Sequence, residues 1–311
     1  MSQAADTRRA LEPVIGAING IVLGKDRQVR LALACLLARG HLLIEDLPGV
    51  GKTTLAQTLA RVLGLSYQRV QFTSDLLPAD VIGVSVYDRE KGRFEFHRGP
   101  VFAQLLLADE VNRATPKAQS ALLEAMEERQ VTVDGHTHAL PDPFFVVATQ
   151  NPSYQLGTYP LPESQLDRFL MRIELGYPNA ALERELLRGS DRRSLLHELA
   201  PQLPLAVLAE LQRYVAQVHV AEPLLDYVQA LVQFTRDSGL FDAGLSPRAA
   251  IALLRAAQAW ALLHGRAGVL PEDVQAVLRA VAGHRLQRRA AVDGGAPADL
   301  DQLLLGAVPL P

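Results

Sequence analysis

Lys52 and Thr53 stand behind two glycines, Gly49 and Gly51, in the run Ile44-Glu-Asp-Leu-Pro-Gly-Val-Gly-Lys-Thr-Thr54, after an apolar stretch and before an amphipathic one. Glycines at such a place let successive backbone N–H groups turn inward, and the start of the following helix adds partial positive charge. Pro48, Gly49, Val50, Gly51, Lys52, Thr53 and Thr54 therefore suit a loop that cradles phosphates. In that chemistry the lysine meets the β- and γ-phosphates of a nucleoside triphosphate and the threonine hydroxyl ligates Mg²⁺. The strict spacing G-x-x-x-x-G-K-[ST] is not met, because Asp46 occupies its first glycine position. Gly49 and Gly51 still flank the tightest part of the turn.

A second half-site follows. Leu105-Leu-Leu-Ala-Asp109-Glu110 is an apolar run ending in two adjacent carboxylates. Asp109 is placed to share the Mg²⁺ with Thr53, and Glu110 to polarise an attacking water. One acid would be an ordinary strand-end charge; two, behind a phosphate loop in this chain order, point to ATP hydrolysis. Asn151, in Ala-Thr-Gln-Asn-Pro152, could orient that water beside Glu110. Arg168, after Asp167, could present a guanidinium to a neighbouring subunit's γ-phosphate, an arrangement worth roughly 10³–10⁵ in rate. Arg248 opens a helix just after Ser246-Pro247, an awkward place for a solvated cation. Arg113 is a fourth candidate on weaker grounds. Singly, each of these reads as a surface or salt-bridge residue, and only the order of the set argues otherwise.

The elements that must position these residues fall into two regimes. Short apolar runs at His41–Glu45, Tyr67–Phe72, Leu105–Asp109, Phe144–Thr149 and Leu170–Leu175 alternate with helix-like stretches, as in a parallel sheet covered on both faces. Beyond the hinge at Tyr177-Pro-Asn179 the periodicity becomes helical, at Leu203–Val220, Pro223–Ser238, Pro247–Leu263 and Pro271–Val281. Several of these open with proline, whose missing N–H costs nothing in a first turn. The expected division is an α/β nucleotide-binding core with an N-terminal helix over 1–178 and a helical domain over 179–311. Two stretches alternate with period two around turns and read as β-hairpins: Val84–Tyr87 with Arg93–His97, and Gln130–Val133 with His138–Leu140 around Asp134-Gly135.

Composition narrows the class. The chain has 311 residues, of which 49% are hydrophobic and 21% charged, as expected of a globular protein of two domains. A formal net charge of −3 does not announce a nucleic-acid binder. No apolar run approaches the roughly 18 residues of a membrane helix, and no signal peptide is evident, so a cytoplasmic location is expected. The single cysteine, Cys35, lies in the run Leu31–Ala38 and is expected to pack as a small hydrophobe in a buried helix.

Taken together, the motifs resemble those of the AAA+ superfamily and, within it, the MoxR family. Gly49–Thr54 resembles Walker A, and Leu107-Ala-Asp-Glu-Val-Asn-Arg113 resembles Walker B. Gln119–Glu127, Ala148–Pro152 (sensor 1), Leu161–Phe169 (arginine finger) and Gly244–Arg248 (sensor 2) resemble the remaining blocks. The similarity runs from about Ile21 to Val281. It implies a wound five-stranded parallel sheet with β-hairpin insertions, a helical lid, and ATP with Mg²⁺ at their junction. It implies a ring, usually a hexamer, in which Arg168 completes the next subunit's site. The two hairpins are similar to the helix-2 and pre-sensor-1 inserts, and in relatives so built the lid is displaced, which leaves Arg248 open to service in its own subunit or a neighbour. Chaperone-like activation of partner proteins, often with von Willebrand factor A domains, is implied in the same way. A nucleic-acid motor and a chelatase-like motor subunit are the alternatives.

The remaining histidines and aromatics read mainly as structural residues. His136 and His138 read as a solvated turn rather than a metal site. His197, His219, His264 and His284 are expected to line surfaces, and Trp260 to lie in the core. Phe94 and Phe96 read equally as satellite packing or as a contact for client protein. The Leu303–Leu305 run is expected to form a short helix.

Overall fold

The computed structural model describes residues 3–151, 158–188, 192–289 and 300–310. Two helices, α1 (Gln3–Ile21) and α2 (Asp26–Leu37), precede the first strand β1 (Leu42–Glu45), and α3 (Lys52–Val62) leads from it to β2 (Tyr67–Gln71). A short helix α4 (Pro78–Ile82) runs into the hairpin β3 (Gly83–Asp88) and β4 (Arg93–Arg98). Then come β5 (Leu105–Asp109), α5 (Pro116–Glu128), the hairpin β6 (Gln130–Val133) and β7 (His136–Ala139), β8 (Phe145–Gln150), α6 (Glu163–Leu166) and β9 (Met171–Ile173). The remaining described elements are helical: α7 (Ala180–Leu187), α8 (Arg192–Glu198), α9 (Leu205–Val215), α10 (Glu222–Asp237), α11 (Pro247–Leu263), α12 (Pro271–Ala282) and α13 (Leu300–Ala307).

The main sheet has the order β2-β5-β8-β1-β9, and every pairing is parallel. β5 and β8 are central and nearly wholly buried, which is why they read as unbroken apolar runs. β2 is an edge strand and correspondingly polar. The pleat sends alternate residues to opposite faces. Leu105 and Leu107 join the core formed with α1, α2, α3 and the later helices, whereas Leu106 and Ala108 join the one formed with α5. Tyr67, Arg69 and Gln71 share the face of Leu105, Leu107 and Asp109 by register. That alternation sets what meets at the strand ends.

Several expected boundaries shift. The helix read as Leu203–Val220 ends at Val215, and His219 instead bridges to Gly268. The strand read as Leu170–Leu175 is confined to Met171–Ile173. In the second hairpin the return strand begins at His136, because Asp134 (φ 50°) and Gly135 (φ 77°) form a two-residue turn with both dihedrals positive. Cys35 is fully buried in α2. Trp260 is half-buried against the larger core, and Leu303–Leu305 lies within α13. His284 is a correction. It is buried, its Nε2 donates to the Phe169 carbonyl at 3.0 Å, and burial holds its pKa well below the ordinary histidine value. It follows the end of α12, where helical periodicity no longer reports which side faces the core.

The two hairpins pack on each other. Phe96 stacks on His138 with centroids 4.2 Å apart and meets Phe102 edge-on, so Phe96 is packing. Phe94 is 70% exposed and touches Tyr87 edge-on. Among the described residues no helix is long and apolar enough to cross a membrane.

Candidate functional site

The loop between β1 and α3 carries two left-handed glycines, Gly49 (φ 86°) and Gly51 (φ 97°). A side chain at either would be strained by that backbone, though a Cβ there would meet nothing within 4 Å. The turn thus bounds open space. Gly51 caps α3 without any side-chain hydrogen bond, which leaves the first amides of the helix facing that space. Pro48 is exposed, and Val50, Thr53 and Thr54 are half-buried around it. These features fit a bound phosphate chain.

Lys52 is the first residue of α3 and only 8% exposed. Its ammonium donates to the carbonyl oxygens of Asp46 and Leu47 and to Asn151 Oδ1 at 3.2 Å. Burial lowers its pKa, while Asp46, Asp109 and Glu110 pull in the opposite direction and favour the charged form. Asp46 explains the missing first glycine of the loop. Its carboxylate accepts the backbone N–H groups of Leu47, Leu175 and Gly176 at 2.6–2.7 Å. A glycine there would lose the tie between the loop and the segment after β9.

The acids end β5. Thr149 Oγ1, fully buried on β8, donates to Asp109 Oδ1 at 2.6 Å and accepts the Glu110 N–H at 2.9 Å. One hydroxyl therefore sets both acids. Glu110 holds a left-handed backbone (φ 55°, ψ 48°), a conformation that costs a non-glycine residue about 1–2 kcal/mol. Its Oε1 accepts from Asn151 Nδ2 at 3.1 Å, and its Oε2 from Gln71 Nε2 at 3.0 Å. Arg113 Nε lies 3.2 Å from the same Oε2, so this arginine sits on its own subunit's acid. The amide of Asn151, itself 3% exposed, thus spans Lys52 and Glu110. Its backbone carbonyl is held by Asn112 Nδ2 at 3.1 Å. Pro152, which closes the motif, lies outside the described residues.

Sequence reasoning missed Arg69, Gln71, Thr149 and Glu127. Arg69 puts Nη2 at 2.6 Å and Nε at 3.2 Å from Asp109 Oδ2, and also donates to Gln71 Oε1 at 3.1 Å. The signal was the polar alternation Tyr67-Gln-Arg-Val-Gln71. Only the pairing of Gln71 with Asp109 reveals that it runs alongside the acids.

Arg168 and Arg248 lie in a different group. Both meet Glu127 Oε2, at the end of α5: Arg168 Nε at 3.5 Å and Arg248 Nη2 at 2.9 Å. The Arg248 hydrogen bond holds the Glu127 carboxyl below the usual carboxylate range. They line a groove of about 210 Å³ shared with Arg39, Arg129, Arg255 and Arg285. Glu127 and Asp167 are the acids among its walls. None of the phosphate-loop residues lines it.

Comparison with known proteins agrees with this geometry. The family model for the ATPase family associated with various cellular activities matches residues 41–171, and that for the AAA lid domain matches residues 233–303. An uncharacterised protein, YeaC, of Bacillus subtilis is 46% identical over 92% of this chain and 89% of its own length. Chaperone MoxR1 of Mycobacterium tuberculosis is 44% identical over 89% of this chain and 75% of its own. A crystal structure of a Cytophaga hutchinsonii protein superposes with a TM-score of 0.90 at 37% identity, covering 99% of this chain and 97% of that one.

Proposed function

Since the chain belongs to the MoxR family of AAA+ ATPases, we propose that it binds ATP over the Gly49–Thr54 turn and hydrolyses it to ADP and phosphate within a ring of identical subunits. The ring is a hexamer by resemblance, and its cycle serves to remodel or activate partner proteins, von Willebrand factor A domain proteins among them. The observation that carries the reading is the Asn151 amide, which accepts from Lys52 and donates to Glu110. A residue so placed ties the phosphate loop to the acid that must handle water.

The roles follow from the contacts. Lys52, held by two carbonyls, presents its remaining charge to the phosphates, joined by the free amides at the start of α3. Thr53 and Asp109 would hold Mg²⁺, which supplies charge neutralisation of the phosphate oxygens. Thr149 fixes the Asp109 carboxylate for that purpose. Glu110 takes a proton from water as the water oxygen bonds to the γ-phosphorus and the bond to the bridging oxygen breaks. Gln71 and Arg113 both meet Oε2, while Oε1 accepts from Asn151 and keeps a second lone pair for the attacking water. Arg168 and Arg248, away from their own loop, serve the γ-phosphate bound by the neighbouring subunit.

Phosphate release by the purified chain, measured beside binding of a fluorescent ATP analogue, tests this. Lys52→Ala should lose binding and turnover together, and Glu110→Gln should retain binding and lose turnover. Turnover undiminished by Lys52→Ala would remove the proposal.

A further inference from the structure

Arg285 is a cation with almost no water. Its side chain is 5% exposed, and burial lowers its pKa. A buried guanidinium is tolerated only when its donors are met, and here all five are. Nε donates to Asp167 Oδ1 at 2.6 Å. Nη2 donates to the carbonyls of Asp167 at 3.1 Å and Phe169 at 2.7 Å. Nη1 donates to the carbonyl of Leu170 at 3.2 Å and to that of Val281. His284, next to it, adds its bond to the Phe169 carbonyl. Four of the five guanidinium bonds fall on residues 167, 169 and 170, immediately either side of Arg168. The fifth anchors the guanidinium to the last turn of α12, the helix that precedes it.

We propose that Arg285, supported by His284, is a positioning residue for Arg168: the segment after α12 grips the turn on which Arg168 stands and makes the lid and that arginine one rigid unit. A movement of the lid is then a movement of Arg168 against the neighbouring subunit. The planar fork is needed because its five donors make four bonds to the turn and a fifth to Val281, whereas an ammonium has only three donors. This inference rests on the reading that Arg168 acts on the neighbour's nucleotide.

Complementation between variant subunits tests it, since a subunit with a damaged loop and one with a damaged arginine restore intact sites at some mixed interfaces. Arg285→Lys alone should lower kcat roughly 10²-fold, as expected of a reacting group displaced by about 1 Å, with KM for ATP within about twofold of wild type. Mixed with Lys52→Ala it should regain activity; mixed with Arg168→Ala it should not. Asp167→Asn, which keeps the shape of the turn, should behave the same way and replaces Arg285→Lys if that variant fails to fold. Recovery in the mixture with Arg168→Ala would overturn the proposal, because Arg285 would then serve its own subunit's site. Wild-type turnover by both single variants would overturn it as well. If Arg168→Ala and Lys52→Ala themselves fail to complement in demonstrably mixed rings, the shared-site reading falls, and this inference with it.

Discussion

The phosphate-loop cluster and the arginine groove stand under opposite conditions. In the first, each charge has a counterpart within its own subunit: Lys52 faces carbonyls, Asn151 and three acids, while Asp109 is matched by Arg69 and Thr149. In the second, six arginines line the groove against two acids, and Arg168 and Arg248 share one of them, Glu127. Like charges that outnumber the acids beside them are stable while solvated or while an anion is near. A closed cluster suits binding; a cationic groove facing outward suits an anion that another molecule brings. The division explains why Arg248 is not found beside Lys52. It meets the end of α5 instead.

The difference can be broken most sharply at Arg168. Arg168→Ala is expected to reduce turnover by about 10³-fold or more with nucleotide affinity unchanged, since an arginine of this kind acts on transition-state charge. Fluorescent-analogue titration beside phosphate release reads both quantities. Weakened binding in proportion to turnover would assign Arg168 to the cluster. On the other side of the comparison, Glu110→Gln should cost about 10²–10⁴ in kcat, the range for a general base, again with binding retained.

Smaller effects sharpen the picture. Arg69 competes for the oxygen that Asp109 would offer a metal, so Arg69→Gln should lower the Mn²⁺ concentration that half-saturates analogue binding by about fivefold, the scale of a partly exposed ion pair. An unchanged midpoint would show that the pairing is idle. The last prediction concerns stability alone. His41 lies under the groove, donating from Nε2 to the Met126 carbonyl at 3.3 Å and accepting the Val146 N–H at 3.0 Å. Burial pushes its pKa down to about 4 from an unfolded value of about 6.5. Between those values the unfolded chain binds more protons than the folded one. Its contribution is therefore complete above about pH 6.5 and declines as pH falls towards 4, by about 3 kcal/mol over the window. Urea midpoints for His41→Gln should show that much less acid sensitivity.

The same comparison shows what could be read from residues alone. Lys52, Thr53, Asp109, Glu110 and Asn151 were legible because each follows a strand or opens a helix at a fixed offset, so local spacing carries the geometry. The wound sheet was legible for the same reason, as central strands buried on both faces leave unbroken apolar runs. Arg69 and Gln71 were not, because their proximity to the acids depends on which strand lies beside β2. Glu127 and Arg285 were further out of reach. The first requires α5 and α11 to meet, and the second requires the end of α12 to return to the turn after α6. His284 was misread as a surface residue because burial at a helix terminus comes from tertiary contact rather than periodicity.

The most direct measurement is an electron cryomicroscopy structure of Glu110→Gln assembled with ATP and Mg²⁺. The expected result is a γ-phosphate held by Lys52 of one subunit, with the Arg168 guanidinium of the adjacent subunit within hydrogen-bond distance of it and released from Glu127. A filled site in which Arg168 stays on its own Glu127, with no neighbouring arginine at the phosphate, would contradict the division of labour between the two regions.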